Sequence, residues 1–178
     1  MIGYLDVQAF EPSGFLGGVL VVDEFGLPIE FRHSLALRPT RLQRTLYGAS
    51  LDRYLRAAVI AVRLLDDLES RPAVILAGDP VLAIGGDGAP VAFWERSGVA
   101  PLGAAGAVQP LEGARRGFLL QLRPGEPPLR LLTKAGPAAY DAMAEAIQRA
   151  AETMDITEPP ARVRSALAVI AADERAAA

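Results

Sequence analysis

Apolar runs and short turn segments alternate along the first third of the chain, which is typical of a β-sheet. Residues 2–10 and 15–22 predict two strands, and residues 27–33 predict a third. Pro28 cannot donate a hydrogen bond to a neighbouring strand, so the third strand is expected at an edge of the sheet. The chain therefore begins with strands and turns rather than with a helix.

The spacing of the apolar residues changes after this sheet to three or four positions, as expected of helices. A short helix is predicted over residues 41–47, with Gly48 placed to cap its end. Ser50 is predicted to cap a longer helix over residues 51–68. The apolar stripe of this longer helix consists of Leu51, Tyr54, Leu55, Ala58, Val59, Val62, Leu65 and Leu68.

Shorter patterns divide the second half of the chain. Residues 73–77 predict a buried strand, whereas residues 97–116 lack periodicity and predict a loop or internal linker. One hairpin is predicted from residues 81–84 and 91–94, and a second from residues 118–122 and 129–133. Two helices are predicted after them, over residues 137–154 and 161–174.

These elements predict an α+β fold. We expect a mainly antiparallel sheet of about seven strands, with one long packed helix and a helical C-terminus. The expected division is a sheet domain over residues 1–134 and a helical segment over residues 135–178 that packs on it.

Composition narrows the classes of function. The chain has 178 residues, no cysteine and a formal net charge of −3, so thiolate chemistry and disulfides are excluded and a strongly basic protein is not indicated. Because we find no signal-peptide pattern and no apolar run of about 20 residues, we expect a cytoplasmic protein without membrane contact. Every basic side chain except Lys134 is arginine, which either codon usage in a GC-rich genome or selection for anion binding would explain.

The sequence lacks a complete catalytic template. A single histidine, His33, rules out paired-histidine metal sites, and its place on an apolar strand face favours a structural role. Lys134 follows a predicted strand and is interpreted as a solvated charge. We find no phosphate-binding glycine loop and no nucleophilic serine motif. We therefore expect neither a cofactor nor a metal, and a function in binding.

An arginine stripe is the best candidate for an interface. Arg38, Arg41 and Arg44 recur every third residue, which places them on one face of the short helix. Leu42 and Leu46 would then face the core. The stripe suits an anionic partner, either nucleic-acid phosphate or an acidic protein surface. Because no exposed aromatic residues are interleaved with it, a protein partner or a second copy of the chain is favoured over nucleic acid.

A group of carboxylates offers an enzymatic alternative. Asp6 lies on the first predicted strand and Asp79 ends the fourth, an order of elements that resembles ribonuclease-H-like folds. In those folds such carboxylates converge on divalent metal ions. The resemblance implies a metal-dependent nuclease, with Glu30, Asp66 or Asp67 completing a two-metal site. Asp79 followed by proline is equally a common way to open a turn.

Residues 17–55 carry two further resemblances. The segments GGVLVVDEFGLPIEFR and RPTRLQRTLYG look like a family of uncharacterised bacterial proteins. The VVDEFGLP hairpin is similar to that of roadblock/longin-type regulators, non-enzymatic dimerising proteins that bind small GTPases or scaffold complexes, although that fold begins with a helix. We therefore expect a non-enzymatic adaptor subunit of a protein complex, and the alternative is the nuclease with Asp6 and Asp79.

Overall fold

The computed structural model describes residues 1–11, 14–86, 88–113 and 116–176. Within these residues one eight-stranded sheet runs in the order β3-β2-β1-β4-β5-β8-β7-β6. The strands are β1 Ile2–Phe10, β2 Gly14–Val22, β3 Pro28–His33, β4 Ile75–Ala77, β5 Val91–Arg96, β6 Val108–Pro110, β7 Gly117–Leu120 and β8 Leu129–Thr133.

The sheet is mixed rather than mainly antiparallel. β1, β2 and β3 are antiparallel neighbours, and β3 lies at the edge, as Pro28 predicts. β4 instead runs parallel to β1, and β5 runs parallel to β4. The α+β class is confirmed, whereas the expectation of about seven mainly antiparallel strands is wrong.

The parallel pairs replace a hairpin that the sequence predicts at residues 81–84 and 91–94. Pro80–Leu82 form a short 3₁₀ turn, and Asp79 precedes it as the N-cap, accepting a hydrogen bond of 2.8 Å from the Val81 amide. The chain then crosses over and enters β5 in the direction of β4. An apolar run in a 3₁₀ turn has no periodicity that distinguishes it from a strand.

The predicted loop over residues 97–116 contains a further strand. β6 pairs antiparallel with β7 at the second edge of the sheet. It is only three residues long and partly exposed, so it leaves no alternating pattern. The hairpin predicted over residues 118–133 is confirmed as β7 and β8.

A continuous helical stretch follows β3. It consists of α1 Arg41–Tyr47, a 3₁₀ turn Gly48–Ser50, α2 Leu51–Arg53, a π-helical segment Tyr54–Ala61 and α3 Val62–Asp66. α1 begins and ends where the sequence predicts, with a capping box between Thr40 and Gln43 and with Gly48 at a φ of 52°. Ser50 is not a helix cap, because its hydroxyl donates to the Tyr47 carbonyl within the stretch.

The π-helical segment changes which residues of this stretch face the sheet. Leu51, Leu55, Ile60 and Leu64 are buried, at spacings of four, five and four residues. A π turn adds one residue to the helical repeat, so the buried face moves by one position. The predicted apolar stripe is therefore wrong at Tyr54, Ala58 and Val62, which are exposed, whereas Val59, Leu65 and Leu68 are partly buried against the core.

Helices cover both faces of the sheet. The helical stretch packs on the face that carries Leu5 and Val7. α4 Tyr140–Ala151 and α5 Pro159–Ala176 pack on the opposite face, which carries Tyr4. Successive residues of β1 thus point to different helix layers, as strand geometry requires.

Gly17 sets how closely the helical stretch approaches β2. A Cβ atom at this position would lie 2.3 Å from the Ile60 Cγ2 atom and 3.0 Å from the Leu64 Cδ1 atom. We expect Gly17→Ala to lower the free energy of unfolding by about 1–3 kcal/mol, because the helix must move away from the sheet. Urea denaturation measures this change.

Gly98→Ala is the matched control for this substitution. No atom lies within 4 Å of the position of a Cβ at Gly98. Its free energy of unfolding should stay within about 0.5 kcal/mol of the unsubstituted protein. An equally stable Gly17→Ala variant would show that the helix contact on β2 is loose.

Candidate functional site

A pocket of about 370 Å³ opens where β1 and β4 lie side by side. The two strands are parallel, with Leu5 opposite Ala77. Asp6 and Asp79 follow these positions and both line the pocket. We use the name carboxylate pocket for the charged side chains that line it, which are Asp6, Asp52, Arg56, Asp79 and Arg164.

Asp6 is buried, with 6% of the residue exposed. It shares the α4–α5 face of β1 with Tyr4. Its Oδ1 atom accepts a hydrogen bond of 2.8 Å from the Val7 amide, and its Oδ2 atom lies 3.8 Å from Nη1 of Arg164 on α5. The buried carboxylate thus has a backbone donor on one oxygen and a cation near the other.

Asp79 is held from the opposite side of the sheet. One carboxylate oxygen caps the 3₁₀ turn, and the other lies 2.8 Å from Nη2 of Arg56. The same Arg56 nitrogen donates to the Val7 carbonyl over 3.2 Å. Arg56 therefore connects the end of β4 to β1, and it originates in the π-helical segment.

Glu30, the third carboxylate of the nuclease hypothesis, does not belong to this pocket. It lies on β3 and accepts hydrogen bonds from Ser70, from the Glu69 amide and from Arg32. Desolvation raises the pKa of Glu30, but these hydrogen bonds outweigh it and lower the pKa to about 2. Asp66 lines a different cavity. The structure therefore brings together Asp6 and Asp79 but not the expected third ligand.

The pocket does not fit the metal centre that the ribonuclease-H-like resemblance implies. Among the residues that the structure describes, no group of three or more His, Cys, Asp or Glu side chains is arranged to hold a metal ion. Both oxygens of Asp79 already have donors, and a guanidinium lies near each carboxylate. A two-metal site needs several free carboxylate oxygens facing one point.

The helix α1 contributes an exposed surface. None of its residues is buried, and Leu42 and Leu46 are 65% and 71% exposed. The prediction that these leucines face the core is wrong, because the helix projects from the body and its own capping box and Gly48 define its ends. Arg38, just before it, lies with its guanidinium carbon 5.2 Å from the centre of the Phe10 ring.

Two tyrosines extend this surface. The rings of Tyr47 and Tyr54 stack with their centres 4.9 Å apart, and the residues are 41% and 43% exposed. They line an open groove of about 550 Å³ with Arg53 and Lys134. We use the name arginine–tyrosine surface for Arg38, Arg41, Arg44, Tyr47 and Tyr54. Residues 33–51 contain these three arginines and no Asp or Glu.

The tyrosine pair is a feature that the sequence interpretation missed. Tyr54 fits the apolar stripe of a regular α-helix and was therefore expected to face inward. In the structure Tyr54 is the first residue of the π-helical segment and is exposed instead. His33 is exposed, with Nδ1 3.0 Å from the Ser34 carbonyl oxygen, and lines none of the pockets described above.

Two solved structures have a fold similar to that of this chain. The structure is similar to that of an endonuclease V from Streptomyces avermitilis, with a TM-score of 0.57 and 19% identity over 99% of this chain and 82% of that chain. It is also similar to human ENDOV, with a TM-score of 0.50 and 15% identity over 99% of this chain and 85% of that chain. Neither the family models nor the curated proteins that were searched contain a match.

These likenesses show the fold and correct the functional expectation. The two neighbours are endonuclease V structures, not roadblock/longin-type regulators, so the non-enzymatic adaptor hypothesis is wrong. The ribonuclease-H-like alternative agrees better with this fold. The arginine stripe predicts a protein partner, but neither neighbour supports this prediction.

The helices were also compared with the dimensions of a bilayer. In the described part of the chain, none combines the length and the apolar character that crossing a membrane requires.

Glu30 gives the protein a pH-dependent contribution to stability. Because its pKa is lowered to about 2 in the folded state, the contribution is complete above the unfolded-state pKa of about 4.3 and is lost as the pH falls towards 2. We expect Glu30→Gln to be less stable than the unsubstituted protein at pH 7, and the difference to shrink between pH 4 and pH 2. Urea denaturation over this pH range measures it.

Glu145→Gln provides the comparison for this titration. Glu145 and its partner Arg149 are both highly exposed, and such pairs contribute about 0–1 kcal/mol. Its stability should follow that of the unsubstituted protein at every pH. A pH-independent effect of Glu30→Gln would contradict the role assigned to the carboxylate charge.

Proposed function

We propose that this protein binds nucleic acid through the arginine–tyrosine surface. The observation that carries the proposal is an exposed, acid-free helix whose arginines adjoin two stacked and exposed tyrosines. The likeness to two endonuclease V structures supports it, since those folds belong to proteins named as endonucleases. The sequence argues against nucleic acid only through the lack of exposed aromatic residues interleaved with the arginine stripe, and the exposure of Tyr47 and Tyr54 removes this argument.

The two residue types of the surface suit the two parts of a nucleotide. Guanidinium groups bind phosphate oxygens in a bidentate manner, and their charge provides affinity that does not depend on sequence. Exposed aromatic rings provide faces on which unpaired bases stack, worth about 1–3 kcal/mol per base. A single-stranded or locally unpaired segment is therefore the favoured ligand.

The helical stretch contributes to both sites, since Tyr54 lines the groove of the tyrosines and Arg56 lines the carboxylate pocket. Arg38 contacts Phe10 at the end of β1, next to the pocket residues Gln8 and Ala9. Asp52 lies on the rim of the pocket only five residues after Tyr47. A strand bound along α1 would therefore lie on the same helical stretch that supplies Asp52 and Arg56 to the pocket.

Phosphodiester hydrolysis is the second candidate function. It is favoured by the position of Asp6 and Asp79 in one pocket on this fold. It is weakened because, among the described residues, no three carboxylates are arranged to hold a metal ion. Incubation of labelled single strands with the protein and Mg²⁺ or Mn²⁺ separates the candidates. Cleavage that disappears in Asp6→Asn and Asp79→Asn would establish hydrolysis, whereas binding that persists in EDTA without cleavage supports the binding function alone.

Charge reversal tests the surface directly. We expect Arg41→Glu/Arg44→Glu to weaken the binding of a fluorescent single strand at least about tenfold, because each reversal removes a phosphate contact and adds repulsion. Fluorescence anisotropy at several salt concentrations measures the affinity. The slope of log affinity against log salt should become shallower by about 1–2, since fewer counterions are released.

Arg123→Glu/Arg149→Glu has the same change of net charge on another surface. Both arginines are highly exposed and lie next to Glu126 and Glu145. This control should bind nearly as well as the unsubstituted protein. Equal losses of affinity in the two double variants would show that the effect depends only on net charge.

Tyr47→Leu/Tyr54→Leu should weaken single-strand binding more than duplex binding, because only unpaired bases can stack on these rings. An unchanged affinity would exclude base stacking on Tyr47 and Tyr54.

A further inference from the structure

We propose that Arg56, with Arg164, takes the place of a divalent cation in the carboxylate pocket. In this arrangement the chain supplies its own positive charge where the carboxylates of β1 and β4 meet. The pocket therefore excludes Mg²⁺ and Mn²⁺ in the unsubstituted protein. Removing the arginines turns the same carboxylates into a cation site.

The contacts of Arg56 are those of a bridging cation. Its Nη2 atom lies 2.8 Å from the Asp79 Oδ2 atom and donates to the Val7 carbonyl over 3.2 Å. It thereby connects two adjacent parallel strands through two oxygen atoms, one charged and one neutral. Carboxylate and carbonyl oxygens are also the ligands that hard divalent cations prefer.

The side chain of Arg56 lies mostly inside the pocket and is largely shielded from solvent. Only 22% of its side chain is exposed, and its Nε atom is buried without a hydrogen-bond partner among the described residues. Burying an unpartnered donor costs free energy, so the pairing with Asp79 and Val7 has to compensate. The π-helical segment directs the side chain here, four residues after Asp52 on the same side of the helix.

The two guanidinium groups offset most of the carboxylate charge that would otherwise attract a metal ion. The pocket contains three carboxylates and two guanidinium groups, so its formal charge is −1. Arg164 lies 3.8 Å from the Asp6 Oδ2 atom and approaches from the other face of the sheet. A dication entering this space would displace Arg56 from Asp79 and would be repelled by both guanidinium groups.

Mn²⁺ binding without nucleic acid tests the inference, so the result does not depend on the proposed function. Mn²⁺ is titrated into the protein and the free ion is followed by electron paramagnetic resonance. We expect no binding at the pocket of the unsubstituted protein. Arg56→Gln and Arg56→Gln/Arg164→Gln should bind Mn²⁺ at least about tenfold more tightly, because the repulsion is removed and an Asp79 oxygen is released. Adding Asp79→Asn to Arg56→Gln should abolish this gain.

Two further variants make each outcome decisive. Arg56→Lys keeps the positive charge and should still exclude Mn²⁺, and circular dichroism shows whether each variant is folded. If Arg56→Gln does not fold, Arg56→Met carries the test, since it keeps the apolar part of a side chain that is only 22% exposed and removes the charge. Binding of Mn²⁺ by the unsubstituted protein that Asp79→Asn removes would overturn the inference. Failure of the folded arginine variants to gain Mn²⁺ binding would overturn it equally.

Discussion

The parallel pairing of β1 with β4 is the contact on which the rest of this structure depends. It aligns Gly3 with Ile75 and Leu5 with Ala77, so the residues that follow, Asp6 and Asp79, reach one opening. Parallel strands need a crossover connection, and the long helical stretch supplies it. The crossover covers one face of the sheet and also supplies Asp52 and Arg56, so packing and pocket are built by the same segment.

The π-helical segment links the core to both functional surfaces. Its extra residue per turn moves Ile60 to the sheet, where Gly17 leaves room for it, and its first residue, Tyr54, is exposed and stacks on Tyr47. A regular α-helix through the same residues would instead continue the buried face from Leu55 through Val59 and Val62, as the sequence predicts. π-helical turns are rare in proteins, and many of those that occur lie at functional sites. The position of Arg56 within this π-helical segment agrees with that tendency.

Local features were predictable from the sequence, and non-local ones were not. Pro28 at an edge strand, Gly48 as the end of α1 and the β7–β8 hairpin follow from the chemistry of one or a few neighbouring residues. The direction of β5 depends on a strand far away in sequence, and no periodicity encodes it. The order of elements predicts that Asp6 and Asp79 lie near each other, and they share one pocket. Their contacts with Arg56 and Arg164 were not predictable from the sequence, because the two arginines belong to separate helices.

The carboxylate pocket illustrates why a shared fold does not fix the chemistry of its site. A backbone that brings two carboxylates together must also neutralise them, since like charges at short range oppose folding. A metal ion does this only while it is bound, whereas an arginine does so permanently and leaves the carboxylate oxygens occupied. The two solutions therefore stabilise the same strand pairing but differ in reactivity. In this chain Arg56 contacts both strands, so the element that makes the pocket stable is also the one that limits what can enter it.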